Sequence, residues 1–161
     1  LNSSKDKKEN IMIVDLMRND IGKVCEIGSV KVPILNELQT FQTVHHLVST
    51  VTGQLRSDQD AVDALAACFP GGSITGAPKH RAMQIIDEIE PVPRGYYCGS
   101  LFYLNAHDML DSSILIRSII AHDQQLYFHA GAGITWDSDP ELELEETLIK
   151  LKSTTTYDSH H

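Results

Sequence analysis

The chain has 161 residues, with 22 Asp and Glu against 13 Lys and Arg, and a formal charge of −9. That length suits one domain with a real core, and the acidic balance argues against nucleic acid and anionic membrane as partners. No apolar run reaches membrane-spanning length and no signal pattern opens the chain; Cys25, Cys68 and Cys98 are far apart and read as reduced thiols of a cytoplasmic protein, with no zinc or redox motif.

Residues 1–8 are polar and charged and read as a flexible segment. The Asn2-Ser3-Ser4 sequon is treated as chance in that context. From Glu9 to Ile21, Met12, Ile13, Leu16 and Met17 recur at helical spacing. Glu9 falls on the apolar face of that helix, where a carboxylate needs a partner or a cation. A first-turn Glu complementing the helix dipole is the plainer explanation. Asp15, Arg18, Asn19 and Asp20 read as a polar network at the helix end.

Gly28 and Pro33 punctuate two short extended segments, Val24 to Ile27 and Ser29 to Val32. Thr43 to Leu55 is rich in Val and Thr and predicts a long strand, on which His45 and His46 face opposite sides. Asp58 and Asp60 are cap and first-turn candidates for a helix over Gln59 to Cys68, which Pro70 ends.

The run from Phe69 to Lys79 holds Gly71, Gly72 and Gly76, the hydroxyls of Ser73 and Thr75, and Pro78-Lys79. A helix follows, with Ala82, Ile85, Ile86 and Ile89 on one face and Pro78 suited to its first turn. Such a loop leaves backbone N–H groups at a helix N-terminus, an anion site in form. A P-loop needs Lys-Ser or Lys-Thr directly after its last glycine, and Ala77-Pro78 intervenes here. Local physics fits a tight turn as well as an anion cradle.

The pattern then turns to strands. Tyr96 to Leu104, Leu110 to Ala121 with Arg117, Gln125 to Ala130 and Ile134 to Trp136 predict an antiparallel meander, which Gly131-Ala132-Gly133 interrupts. Asp137-Ser138-Asp139-Pro140 predicts the start of a helix running to Lys152. On it Glu146 lies between Leu142 and Ile149 on one face, with Glu143 a turn earlier; the competing reading is a surface pair of Glu146 with Lys150. Two inward carboxylates on two helices, with no His/Cys metal spacing, suggest a hard oxygen-ligated cation such as Mg²⁺. Residues 154–161 read as a tail, whose Ser159-His160-His161 suits a remnant of an appended tag.

These stretches resemble the motifs of the chorismate-utilising enzymes. The motifs are Glu9 to Asp20, Val44 to Ser49, the glycine loop with Gly76-Ala77-Pro78-Lys79, Ile114 to Arg117, Ala130 to Gly133 and Glu146-Thr147. They stand in family order and cover residues 9–153. The Phe69 to Thr75 and Asp15 to Asp20 stretches are most similar to the aminodeoxychorismate synthase component I branch. Anthranilate synthase component I is the runner-up, and isochorismate synthase also belongs to the family.

The resemblance implies an α/β (α+β) fold, the C-terminal part of a sandwich of antiparallel sheets with helices outside. It implies conversion of chorismate and ammonia to 4-amino-4-deoxychorismate, with the ammonia coming from a glutamine amidotransferase partner. It implies Glu9 and Glu146 as Mg²⁺ ligands, Glu143 assisting, and His46 as the catalytic-site histidine. Tyr97 and Arg117 grip the enolpyruvyl carboxylate; Ser73 and Gly76 line the ring pocket; Gly131, Ala132 and Gly133 offer backbone N–H groups; and Lys150 orients Glu146 or adds positive potential. The family's upstream half, with the lysine proposed to attack chorismate in this branch, has no counterpart here. The expectation is therefore a fragment, inactive alone, and self-association through unpaired strand edges is the non-catalytic alternative.

Overall fold

The computed structural model describes residues 4–40 and 45–155. Thr43 and Val44, the sequon's Asn2 and Ser3, and the tail beyond Thr155 lie outside them. The described chain groups into two compact units. The first takes residues up to Pro91 and Phe102–Asp111; the second takes Val92–Leu101 and the residues from Ser112 onward.

The first unit is built on helix α1, Ser4–Gly22. It starts five residues before Glu9, so Glu9 occupies its second turn. The helix-dipole explanation for that carboxylate loses its force there, because the effect fades beyond the first turn. A hairpin of β1 (Lys31–Thr40) and β2 (His45–Thr52) packs beside α1. Pro33 does not end an element. It sits inside β1, where the register shifts between Lys31 and Ile34 and again before Glu37, and a bulge is where a strand tolerates a missing N–H donor. An isolated bridge joins Cys25 to Leu55 beyond the hairpin.

Helix α2 spans Ala61–Cys68. Asp60 caps it: its carboxylate accepts from Val62 N and Asp63 N at 2.8 and 2.9 Å, and the Asp63 carboxylate accepts from Asp60 N at 3.0 Å, a reciprocal capping box. A single 3-10 turn, Gly72–Ile74, interrupts the glycine loop, and helix α3, Lys79–Ile89, follows. Pro78 stands just outside α3 as its cap residue.

Three more elements are strands β3 (Ser100–Leu104), β4 (Leu110–Ile114) and β5 (Ile119–His122). Strand β6 (Gln125–Phe128) and helix α4 (Pro140–Thr155) close the described chain. The strands pair as two separate hairpins, β3–β4 and β5–β6, so the expected continuous strand from Leu110 to Ala121 is broken. The break is local: Ile116 N donates back to Ile114 O at 2.9 Å, and Arg117 takes φ 52. No strand forms over Ile134 to Trp136. Asp139 caps α4 through Glu141 N and Leu142 N at 3.0 and 3.1 Å.

Fold class agrees with the sequence reading: mixed α+β, with antiparallel strand pairs. The buried apolar side chains among the described residues are Val14, Val24 and Cys25 in the first unit and Cys98 in the second. Two-stranded hairpins leave edges and faces open, so most large apolar side chains remain exposed.

Candidate functional site

The residues named by the resemblance divide between the two units. Glu9, His46, Ser73 and Gly76 fall in the first; Tyr97, Arg117, Gly131, Ala132, Gly133, Glu143, Glu146 and Lys150 fall in the second.

In the first unit α1 fastens both halves of the site. Asn10, next to Glu9, donates to Leu47 O at 3.2 Å and accepts from the Ser49 hydroxyl. Ser49 in turn accepts from Asn36 N at 2.9 Å. The bond from Asn10 to Leu47 thus ties the turn carrying half-buried Glu9 to the strand carrying His46. His46 is exposed on β2, opposite Gln39. At the other end of α1, Cys68 Sγ approaches Met17 Sδ at 3.8 Å. Gly72 packs on Leu16 so closely that a Cβ there would lie 2.8 Å from Leu16 Cδ1. That contact requires glycine for space, whereas Gly76 requires it for conformation, at φ +140. Ser73 is exposed on this loop and Gly76 is half-buried.

Lys79 is not aimed at an incoming anion. Its ammonium is bonded to Asp20, a carboxylate only 2% exposed that also takes Lys23 Nζ at 2.9 Å. Sequence reasoning placed Asp20 in a helix-end network but missed this partner 59 positions away. Beside them, the Cys68 thiol is pushed above its usual range, first by burial and then by Asp20, while Lys79 and Lys23 pull it back.

In the second unit Lys150 is the organiser. Its ammonium pairs with Glu146 at 2.7 Å and donates to Gly131 O at 3.1 Å. One cation thereby joins α4 to the Gly131–Gly133 segment. The backbone of Gly131 passes so near Tyr97 that a Cβ would lie 3.2 Å from the phenol oxygen. Tyr97 stacks on His129, with ring centroids 5.3 Å apart and planes 20° apart. His129 carried no sequence signal of its own. A cavity of about 280 Å³ opens beside this pair, lined also by Leu115, Ser118 and Ile119. Arg117 is exposed, at positive φ.

One expectation for α4 needs correcting. Glu146 does not face inward within its unit: its side chain is 51% exposed, and Leu142 and Ile149 beside it are exposed too. The carboxylate that is buried is Glu143, 5% exposed, which accepts from the Ser138 hydroxyl at 2.7 Å. Helical spacing identified the face but not which face of α4 meets its own unit. Among the described residues no three His, Cys, Asp or Glu side chains converge.

The chain matches the chorismate binding enzyme family over residues 1–156. It is 57% identical to aminodeoxychorismate synthase component 1 of Salmonella typhimurium and 56% to that of Escherichia coli, each over 93% of this chain and 33% of the relative. It therefore spans about a third of the length of the curated relatives it matches. The solved structure of anthranilate synthase component I from Streptococcus pneumoniae superposes with a TM-score of 0.90 at 44% identity, covering 96% of this chain and 36% of that one. A match across nearly the whole chain, in sequence and in fold, makes this chain a member of the chorismate binding enzyme family.

Proposed function

We propose that this chain works as the matching third of an aminodeoxychorismate synthase component 1, in which chorismate and ammonia give 4-amino-4-deoxychorismate and water. The observation that carries this reading is the 57% identity to that enzyme over 93% of the chain, against 50% for anthranilate synthase component 1 of Geobacillus stearothermophilus. The ammonia would come from a glutamine amidotransferase partner. The product would feed p-aminobenzoate and folate synthesis in the cytoplasm.

The second unit supports the substrate half of the reading. Arg117 is held in a left-handed conformation that costs a side-chain-bearing residue about 1–2 kcal/mol, and such residues gather at functional sites. Its guanidinium suits a carboxylate by bidentate pairing, and the Tyr97 hydroxyl, near Gly131, is a further donor in this unit. Lys150 holds the Gly131 carbonyl, which orients the Gly131–Gly133 segment so that its N–H groups can meet substrate oxygens. In the first unit, Ser73 and Gly76 would line the ring and His46 would act near it.

The donor set suits Mg²⁺. This cation takes one or two carboxylates and completes its shell with water and substrate oxygens. Glu9 is half-buried on α1, and Glu146 is accessible and paired with Lys150. Mg²⁺ held by such carboxylates would neutralise the ring carboxylate of chorismate and ease loss of the C4 hydroxyl.

The test is product analysis. The chain is combined with the N-terminal two thirds of the E. coli relative and supplied with chorismate, Mg²⁺ and ammonium. The expected product is 4-amino-4-deoxychorismate, with no turnover by the chain alone. Pyruvate released with anthranilate would replace this reading with anthranilate synthase. In the same assembly Glu146→Gln should weaken Mg²⁺ binding at least tenfold, read by calorimetry, since it removes a charged ligand. Unchanged affinity removes Glu146 from the metal site.

A further inference from the structure

We infer that Asp20 and Lys79 are positioning residues: their buried ion pair clips the glycine loop to α1 and so sets the conformation of Ser73 and Gly76. The inference deepens the reading above, which puts those two residues against the substrate ring.

The charge balance is the first argument. Asp20 is 2% exposed, and a carboxylate so buried must be neutralised. Lys23, just past the end of the helix, already does this from a side chain 56% exposed. Lys79 brings a second ammonium to a group that has one, and its own side chain is only 18% exposed. Burying a second lysine is costly as a route to stability. What Lys79 adds is a tether across 59 residues of sequence.

Geometry is the second argument. Leu16 and Asp20 are four residues apart and so stack on one face of α1, about 6 Å along its axis. The loop touches that face twice, at Leu16 through Gly72 and at Asp20 through Lys79. The seven steps from Gly72 to Lys79 would extend to about 24 Å. Pinning both ends one helical turn apart forces the chain between them into a tight loop. Gly76 takes φ +140 there, Thr75 Oγ1 donates back to Gly71 O at 2.9 Å, and Ser73 is left exposed. The first anchor is apolar contact and the second is charge. Removing the second frees one end only.

The test reads the loop directly, on this chain, without ligand. Amide hydrogen exchange is followed for residues 69–79 in the parent chain and in Lys79→Met, Lys79→Arg and Lys23→Met. Because Lys23 still neutralises Asp20, Lys79→Met leaves no stranded charge in α1. Exchange in the loop should quicken about tenfold or more in Lys79→Met, while α1 and the β1–β2 hairpin keep their protection. Lys79→Arg should restore most of the loss, and Lys23→Met should leave the loop as in the parent. Unchanged loop exchange in Lys79→Met overturns the inference. So does a uniform loss of protection across the unit, which would make the pair a plain core contact.

Chorismate affinity is then measured in the assembly with the N-terminal two thirds of the relative. A loop populated a tenth of the time in its competent form weakens affinity about tenfold. If the loop loosens but the parent assembly binds no chorismate, the clip stands and the functional reading falls.

Discussion

Single side chains in this protein hold backbone as well as one another. Lys150 bonds a carbonyl and a carboxylate; Asn10 bonds a carbonyl and a hydroxyl; Asp20 takes two ammonium groups. Cys68 offers a titration that reports on one of these centres. Burial raises its pKa, Asp20 raises it further, and Lys79 lowers it. A thiol whose folded pKa lies above its unfolded value keeps its proton longer when folded. Its contribution to stability is complete below the unfolded pKa and is lost as pH rises through that value towards the folded one. Alkylation of Cys68, followed by mass spectrometry of its peptide, should therefore reach half-maximal rate at higher pH in the native chain than in urea. Lys79→Met should push that midpoint higher still, since it removes a cation. Coincident midpoints in native and unfolded chain would contradict this account.

Element ends follow local chemistry closely. Asp139 accepts two N–H groups at the start of α4, and removing such a cap typically costs about 1 kcal/mol. Asp139→Ala should cost about that much in urea unfolding of the chain, with the signal change centred on α4. The glycine loop obeys a stricter rule. A Cβ at Gly72 would meet Leu16 Cδ1 at 2.8 Å and Leu16 Cβ at 2.9 Å. The second atom sits at the root of its side chain and cannot swing away, so α1 or the loop must shift. Gly72→Ala should destabilise the first unit by about 1–3 kcal/mol as an overpacked contact. A stability within 0.5 kcal/mol of the parent, the range of an ordinary surface substitution at about that size, would mean that the loop adapts freely there.

At the scale of the molecule, the described residues bury few apolar side chains fully and leave many large ones exposed. Trp136 is 100% exposed, with Ile134 beside it at 75%. We predict that these two side chains are covered in the proposed assembly. The single tryptophan makes a direct probe. Its emission in the isolated chain should be that of a fully hydrated indole. Adding the N-terminal two thirds of the E. coli relative should shift that emission to the blue and reduce binding of a hydrophobic dye. An unshifted spectrum on a demonstrably formed complex would show that this face stays in water.

Much of the fold was legible from periodicity and punctuation. Helices α1 to α4 follow from 3.6-residue spacing, and the caps of α2 and α4 from Asp60 and Asp139, all of which act within a few residues; the start of α1 at Ser4, inside a stretch that reads as flexible, does not. The hairpin turns, with Asp108, Asp123 and Gln124 at positive φ, follow from turn chemistry. The misreadings are places where distant chain intervenes. Pro33 reads as a stop, yet pairing with β2 carries β1 through it by a bulge. Leu110 to Ala121 reads as one strand, yet it kinks at Arg117. Glu146 and Glu143 lie one turn apart on α4, and sequence spacing alone does not say which of them is buried.

The sequence by itself determined the class of the fold, the family and the order of its motifs, because these rest on local propensity and on residue identity along the chain. Only the tertiary structure decided which distant partner each of these groups meets. It joined Lys79 to Asp20, Lys150 to Gly131 and Tyr97 to His129. The physical reason is range: helix spacing and capping act over a few residues, whereas a buried charge takes its partner from whatever element the packing brings within about 3–4 Å.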